Sequence, residues 1–155
     1  MKRGFSVIAA FLVGAIMTAL VVRLVNTAAR EPGVTIRAIG EVGMRSLEGQ
    51  RINLSDRLAP RGASWLMFFG LNHCYSCVAR GLADLVLRQK RGQHCLAVAI
   101  HSRLKDVQGW VAHESFRPIF VISREAFLGH VECRSLPVIL RLEKGRVTHC
   151  EYPSP

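Results

Sequence analysis

Several patterns are missing from this sequence of 155 residues, and each absence excludes a class of function. The arginines stand singly, with no extended basic run and no interleaved aromatic residues, so the net charge of +10 indicates a solvated basic surface rather than a nucleic-acid partner. The sequence has one CxxC pair, Cys74 and Cys77. It lacks the second CxxC pair or the HxxxH pair that would complete a zinc site of ordinary spacing. Val78 stands where covalent haem attachment requires a histidine, which excludes that site.

The chain also lacks internal repeats and low-complexity tracts, and its length allows one compact domain and one hydrophobic segment. The hydrophobic segment comes first. After the basic cap Met1-Lys2-Arg3, residues 5–22 carry no charge, which is close to the ~20 residues that span a bilayer as a helix. We therefore predict a membrane anchor or signal segment at 1–26, a linker at 27–40 that contains the breaker cluster Glu31-Pro32-Gly33, and a domain at 41–155.

Two interpretations of the first segment are open: a cleaved signal peptide and an uncleaved membrane anchor. Thr27-Ala28-Ala29 offers small residues suited to signal-peptidase cleavage, whereas the apolar stretch is longer than the 7–15 residues of a cleaved signal. On length we favour an uncleaved anchor. The expected protein is a single-pass protein of the bacterial inner membrane with its C-terminal domain in the periplasm, or a secreted periplasmic form if the signal is cleaved.

The main chemical motif is Cys74-Tyr75-Ser76-Cys77. It follows the apolar run 64–70, which predicts a buried strand, and precedes the segment 77–90, whose apolar residues have helical spacing. The pair therefore lies at a helix N-terminus, where free N–H groups and the helix dipole stabilise a thiolate. We predict a redox-active dithiol in which Cys74 attacks a substrate disulfide and Cys77 resolves the mixed disulfide.

The other cysteines are scattered singly. Three His-Cys dipeptides leave a mixed His/Cys metal site conceivable, but adjacent residues on a strand point to opposite faces, so we predict no metal and no cofactor. Cys95 lies among apolar strand residues and reads as a buried core residue. Cys133 and Cys150 are open to three readings: a second disulfide, a further relay, or free thiols.

The remaining pattern predicts a mixed sheet with helices on its faces. A hairpin is expected within 41–54, with a brief helical turn at Ser55-Asp56. Strands alternating with helices then imply parallel pairing, and a final hairpin implies an antiparallel edge. The expected strands are 64–69, 95–100, 118–122, 138–142 and 146–150, and the expected helices are 77–90 and 104–114.

These residues carry a family likeness: the chain resembles the thioredoxin fold, and within it the membrane-tethered TlpA/ResA-like thiol-disulfide oxidoreductases. The likeness covers roughly residues 41–151. It rests on the hairpin segment 47–56, on the CxxC pair at the strand-to-helix junction, and on Ser135-Leu136-Pro137 before a strand. It implies an α/β, three-layer fold with a mixed central sheet and flanking helices, preceded by one N-terminal transmembrane helix.

The resemblance also assigns a role to Leu136 and Pro137. It implies a cis Leu136–Pro137 bond beside the dithiol, with Leu136 presenting backbone groups to an extended substrate segment. An ordinary trans proline at the start of a strand is the alternative.

The chain departs from the family pattern at three places. His73 replaces the usual tryptophan before the first cysteine, and Arg80 stands where ResA-like members carry an acid. A cationic Arg80, or a His73 that becomes charged, would stabilise the thiolate. The alternative for His73 is a solvent-facing turn residue. The sequence ends without room for the last helix of the usual fold, so another element is expected to cover that sheet face, or the face is exposed.

The expected function is an extracytoplasmic thiol-disulfide oxidoreductase. Its partners would be protein thiols and disulfides, and a membrane or soluble electron donor or acceptor. The alternative is a copper metallochaperone on the same fold, with Cys74, Cys77 and a distant histidine, His130 or His149, as ligands. A peroxiredoxin-type peroxidase is not favoured, because the chain lacks the threonine and proline that this family places before its cysteine. A purely structural domain would leave the CxxC pair unexplained.

Overall fold

A computed structural model describes residues 34–154 of the protein. They belong to the second of two compact units, Pro32–Pro155. Within them no helix is long and apolar enough to cross a membrane, and the predicted anchor at 1–26 lies outside the described residues. The elements are β1 Val34–Ile36, β2 Gly43–Ser46, β3 Arg51–Asn53, β4 Ala63–Gly70, α1 Tyr75–Lys90, β5 His94–Ile100, α2 Leu104–Val111, β6 Ile119–Ile122, α3 Arg124–His130, β7 Val131–Cys133, β8 Val138–Glu143 and β9 Arg146–Glu151, with 3-10 turns at Ile39–Glu41 and Leu54–Arg57.

Seven strands form one sheet in the order β3-β2-β6-β5-β4-β8-β9. The three central strands β6, β5 and β4 run parallel, and the pairs at both flanks are antiparallel. β1 and β7 form a separate antiparallel pair. The predicted mixed sheet is confirmed, and so are the first hairpin, the parallel crossovers and the last hairpin.

The sheet is buried on both faces because the central strands carry apolar side chains in both directions. Phe68 faces one layer, where it meets Phe127 of α3 with ring centroids 5.3 Å apart. Met67 and Phe69 face the other layer, where they pack against α1 and α2. The predicted three-layer arrangement of helices around a mixed sheet is confirmed.

The structure differs from the sequence prediction in its short elements. The described part of the segment predicted as a linker contains β1 and the start of the first 3-10 turn. α3 and β7 were not predicted, because seven and three residues are too few for a period to be read. α2 ends at Val111 rather than near 114. The Arg117 guanidinium satisfies the carbonyls at this end, because it donates to Val111 at 3.0 Å and to Glu114 at 2.9 Å.

A polar and aromatic cluster lies between α1 and the last hairpin. The Arg88 guanidinium lies 3.6 Å from the centroid of the Trp65 ring and donates to Asp84 at 2.6 Å and to Glu151 at 2.9 Å. His149 meets the same tryptophan edge-on. The segment after β9 then crosses α1 at Gly81, where a Cβ would be 3.2 Å from Pro153. The C-terminal segment and this cluster therefore cover α1 and the adjoining part of the sheet.

Candidate functional site

The structure joins Cys74 and Cys77 in a disulfide at the start of α1, with their Cα atoms 5.3 Å apart. Cys74 is the N-cap residue and is exposed, whereas Cys77 lies in the first turn and is only 6% exposed. The backbone N–H of Cys77 donates to Cys74 Sγ at 3.4 Å. One sulfur is therefore open to a partner and held by a helix-terminal N–H, while the other is shielded. Their roles as attacking and resolving thiols stay a prediction.

Ser76 adds a second donor to Cys74. Its Oγ lies 3.1 Å from Cys74 Sγ, and since a disulfide sulfur carries no proton, the serine hydroxyl is the donor. In the reduced pair the same hydroxyl would donate to the Cys74 thiolate. The sequence analysis did not assign a role to Ser76, although a serine in the first turn of a helix is a general signal for such contacts.

His73 is positioned against Gly70 by the turn that connects β4 to α1. Its N–H donates to the Gly70 carbonyl at 3.2 Å, and its ring lies against Gly70, where an added Cβ would be 2.5 Å from Nδ1. Only glycine leaves room for this ring. Arg80 donates to the Ser154 carbonyl at 3.4 Å, so its guanidinium reaches the C-terminal segment. The electrostatic roles of His73 and Arg80 toward the thiolate stay predictions.

An aromatic stack stands beside Cys74. Tyr75 is 66% exposed and meets Trp110 of α2 in a T-shaped arrangement, with ring centroids 6.3 Å apart. Trp110 in turn packs on Phe69 of β4 at 5.3 Å. Through these contacts the exposed ring of Tyr75, next to the disulfide, is packed onto the core of the sheet. It was not predicted, because it joins residues from three separate elements.

Leu136 and Pro137 lie at the same edge of the sheet as the disulfide. Val138, the first residue of β8, pairs with Phe68, and two residues later β4 ends at Gly70. The Leu136–Pro137 peptide bond is cis, as is Arg117–Pro118. Pro137 is buried and Leu136 is half-buried. Their part in substrate binding stays a prediction.

Comparisons with known proteins bear on the fold. No family model and no curated protein matches the sequence. The thioredoxin domain of a thiol-disulfide oxidoreductase from Bacteroides vulgatus matches with a TM-score of 0.58 at 13% identity, over 77% of this chain and 89% of that one. The chain has a thioredoxin-like fold.

Two further solved structures share this thioredoxin-like fold. One is a thiol:disulfide interchange protein from a Bacteroides species, with a TM-score of 0.56 at 12% identity over 76% of each chain. The other is an exposed lipoprotein thioredoxin of Streptococcus pneumoniae, with a TM-score of 0.53 at 18% identity, over 70% of this chain and 86% of that one.

The other three cysteines are free. Cys95 is buried, as predicted, and desolvation raises the pKa of its thiol to about 11. Cys133 and Cys150 are half-buried against the core and form no second disulfide. Among residues 34–154 no three His, Cys, Asp or Glu side chains come close enough to hold a metal, so neither His130 nor His149 joins the Cys74–Cys77 pair.

Replacing Ser76 by alanine should slow alkylation of Cys74 in the reduced protein. The thiolate loses one hydrogen bond, so at pH 7 a smaller fraction of the thiol is ionised. We expect the iodoacetamide rate at Cys74, followed by mass spectrometry, to fall by roughly three- to tenfold. Ser115→Ala, in an exposed loop, is the matched control and should keep the wild-type rate. An equal rate in both variants would show that Ser76 does not contact the thiolate.

Burial of Cys95 should lower the free energy of unfolding at alkaline pH. The unfolded thiol ionises near pH 9, but the folded pKa is about 11, so between these values the unfolded state binds fewer protons and stability falls as the pH rises. The loss should reach about 2 kcal/mol. Urea unfolding at pH 8 and pH 10.5 measures it. In Cys95→Ala this part of the fall should disappear, whereas Cys150→Ala should retain it.

Proposed function

We propose that this protein is a thiol-disulfide oxidoreductase of the membrane-tethered TlpA/ResA-like kind, acting on protein thiols and disulfides. The observation that carries the proposal is the Cys74–Cys77 disulfide at the N-terminus of α1, with one sulfur exposed and one buried. The similar solved structures are those of a thiol:disulfide interchange protein, a lipoprotein thioredoxin and a thiol-disulfide oxidoreductase, which supports the same activity.

The exchange proceeds through a mixed disulfide. In the reduced protein the Cys74 thiolate attacks one sulfur of a substrate disulfide, and the second substrate sulfur leaves as a thiolate that takes up a proton. Cys77 then loses its proton and attacks Cys74 Sγ, which restores the Cys74–Cys77 disulfide and releases the first substrate sulfur as a thiol. The substrate gains two electrons and the protein loses two. The reverse sequence oxidises a dithiol substrate.

The surroundings of Cys74 support a polypeptide substrate. Leu136 and Pro137 precede β8 at the edge where the chain turns into α1, and there a cis-proline segment offers backbone groups to an extended chain. On the α2 side, the exposed ring of Tyr75 provides an apolar contact. We infer that the segment around the substrate cysteine lies between Leu136 and Tyr75. A separate electron donor or acceptor, membrane-bound or soluble, resets the pair.

We also propose that the domain acts outside the cytoplasm, tethered by the segment 1–26. The uncharged run 5–22 behind a basic cap supports export, and disulfide chemistry is the usual role of cysteines in an oxidising compartment. The similar pneumococcal protein is described as an exposed lipoprotein, which is consistent with this placement.

The activity is tested on the full chain in detergent by equilibrating it with dithiothreitol or glutathione buffers, alkylating it, and reading each cysteine by mass spectrometry. We expect one reversible two-electron transition confined to Cys74 and Cys77, with a midpoint between roughly −270 and −120 mV. Cys77→Ser should accumulate a mixed disulfide with a disulfide-bonded peptide, and Cys74→Ser should not. A variant with alanine at 95, 133 and 150 is the control and should keep the midpoint. A pair that never exchanges would refute the proposal.

The location is tested on intact cells with a membrane-impermeant maleimide after mild reduction. Cys74 should be labelled without lysis, because the domain faces the outside of the membrane. Cys74→Ser identifies the labelled position, and a cytoplasmic thiol protein, labelled only after lysis, reports that the membrane stayed sealed. Labelling of Cys74 only after lysis would place the domain in the cytoplasm.

A further inference from the structure

A second site lies at the carboxyl ends of β5 and β6, and its lining does not include the dithiol. A cavity of about 560 Å³ opens there between the β2-β3 hairpin and the loops that leave the two parallel strands. The carboxyl edge of parallel strands is where open α/β sheets bind ligands, and the volume falls within the range of small-molecule pockets, 300–1,000 Å³. None of its lining residues belongs to the Cys74–Cys77 region.

Two arginines line this cavity and face each other. Arg45 on β2 and Arg51 on β3 are directly opposed partners in the antiparallel ladder, and both are exposed. Like charges in directly opposed positions destabilise a strand pair. Within residues 34–154, no carboxylate lies within 4.0 Å of either guanidinium to offset this repulsion. The arrangement therefore gains stability from an anion placed between the two side chains.

The other charged and polar groups of the lining agree with an anionic occupant. His101 also lines the cavity, and its Nδ1 has two alternative partners on Arg103. In one tautomer Nδ1 accepts the backbone N–H at 3.0 Å, which leaves Nε2–H as a donor, and in the other it donates to the carbonyl at 3.1 Å. Its Nδ1 lies 3.8 Å from Asp106. α2 begins at Leu104 without a side-chain cap, so the N–H groups of its first turn add partial positive charge. Asp56 is the one carboxylate in the lining, against two guanidinium groups.

We propose that this cavity binds a small organic anion that carries a carboxylate or phosphate group. Arg45 and Arg51 hold the anionic group between them, and guanidinium groups suit both carboxylate and phosphate because their N–H groups pair with two oxygens at once. Leu104 and Val121, which is paired with Arg45 and shares its face of the sheet, give the remainder of the ligand an apolar surface. The site does not depend on the redox activity, because the dithiol contributes nothing to it.

The test measures the thermal midpoint of the full, oxidised chain in detergent against inorganic phosphate and against citrate, with chloride adjusted to keep the ionic strength constant. A ligand that binds the folded state raises the midpoint. We expect a saturable rise in the wild type, and an apparent affinity about tenfold weaker or more in Arg45→Gln and in Arg51→Gln. A larger response to citrate assigns the site to carboxylates, and a larger response to phosphate assigns it to phosphoryl groups.

Arg146→Gln is the matched control, because it removes the same charge from β9, the strand at the opposite edge of the sheet from β3. It should respond as the wild type does, which separates binding from the general stabilisation that such salts give. Without anion, Arg45→Gln and Arg51→Gln should each have a midpoint no lower than the wild type, because the repulsion is relieved. No saturable rise in the wild type, or equal responses in all four proteins, would overturn the proposal.

Discussion

The structure depends on the burial of β4 in the middle of the sheet. β4 pairs with β5 on one side and with β8 on the other, and its residues from Leu66 to Gly70 are all buried. Both faces and both edges are therefore occupied, so a shift of register would cost packing in two layers at once. The end of the strand at Gly70 is accordingly fixed in space, and the short turn from Gly70 to Cys74 leaves the disulfide at one defined point of the sheet edge.

This burial also explains which parts of the fold were predictable from sequence. The run from Ser64 to Gly70 is apolar at consecutive positions, which is the pattern of a strand buried on both faces, and α1 repeats apolar residues at Val78, Leu82 and Leu85. Such signals are local, so the strand, the helix and the dithiol between them follow from the sequence with errors of one or two residues. The topology then follows from alternation of strands and helices, because parallel crossovers allow few arrangements.

The parts that were not predicted arise from contacts between distant residues. β1 has three residues and exists through its pairing with β7, about a hundred residues further along the chain. The Tyr75–Trp110 contact and the opposition of Arg45 to Arg51 likewise depend on how whole elements meet. Arg117 binds the carbonyl of Val111, the last residue of α2, and that of Glu114, which no propensity of residues 112–114 would have indicated. Local patterns carry no information on such pairs.

The two ends of α1 differ in a way that suits disulfide exchange. Toward its C-terminal half, Leu85 is packed into the core and Arg88 is bound to Trp65 and Glu151. At its N-terminus Cys77 and Val78 are buried, whereas Cys74 to Ser76 are exposed. A helix packed in this way holds its N-terminal N–H groups at the dithiol. The Cys77 N–H and the Ser76 hydroxyl already contact Cys74 Sγ in the disulfide, so the thiolate would form in a site whose donors are positioned before reduction.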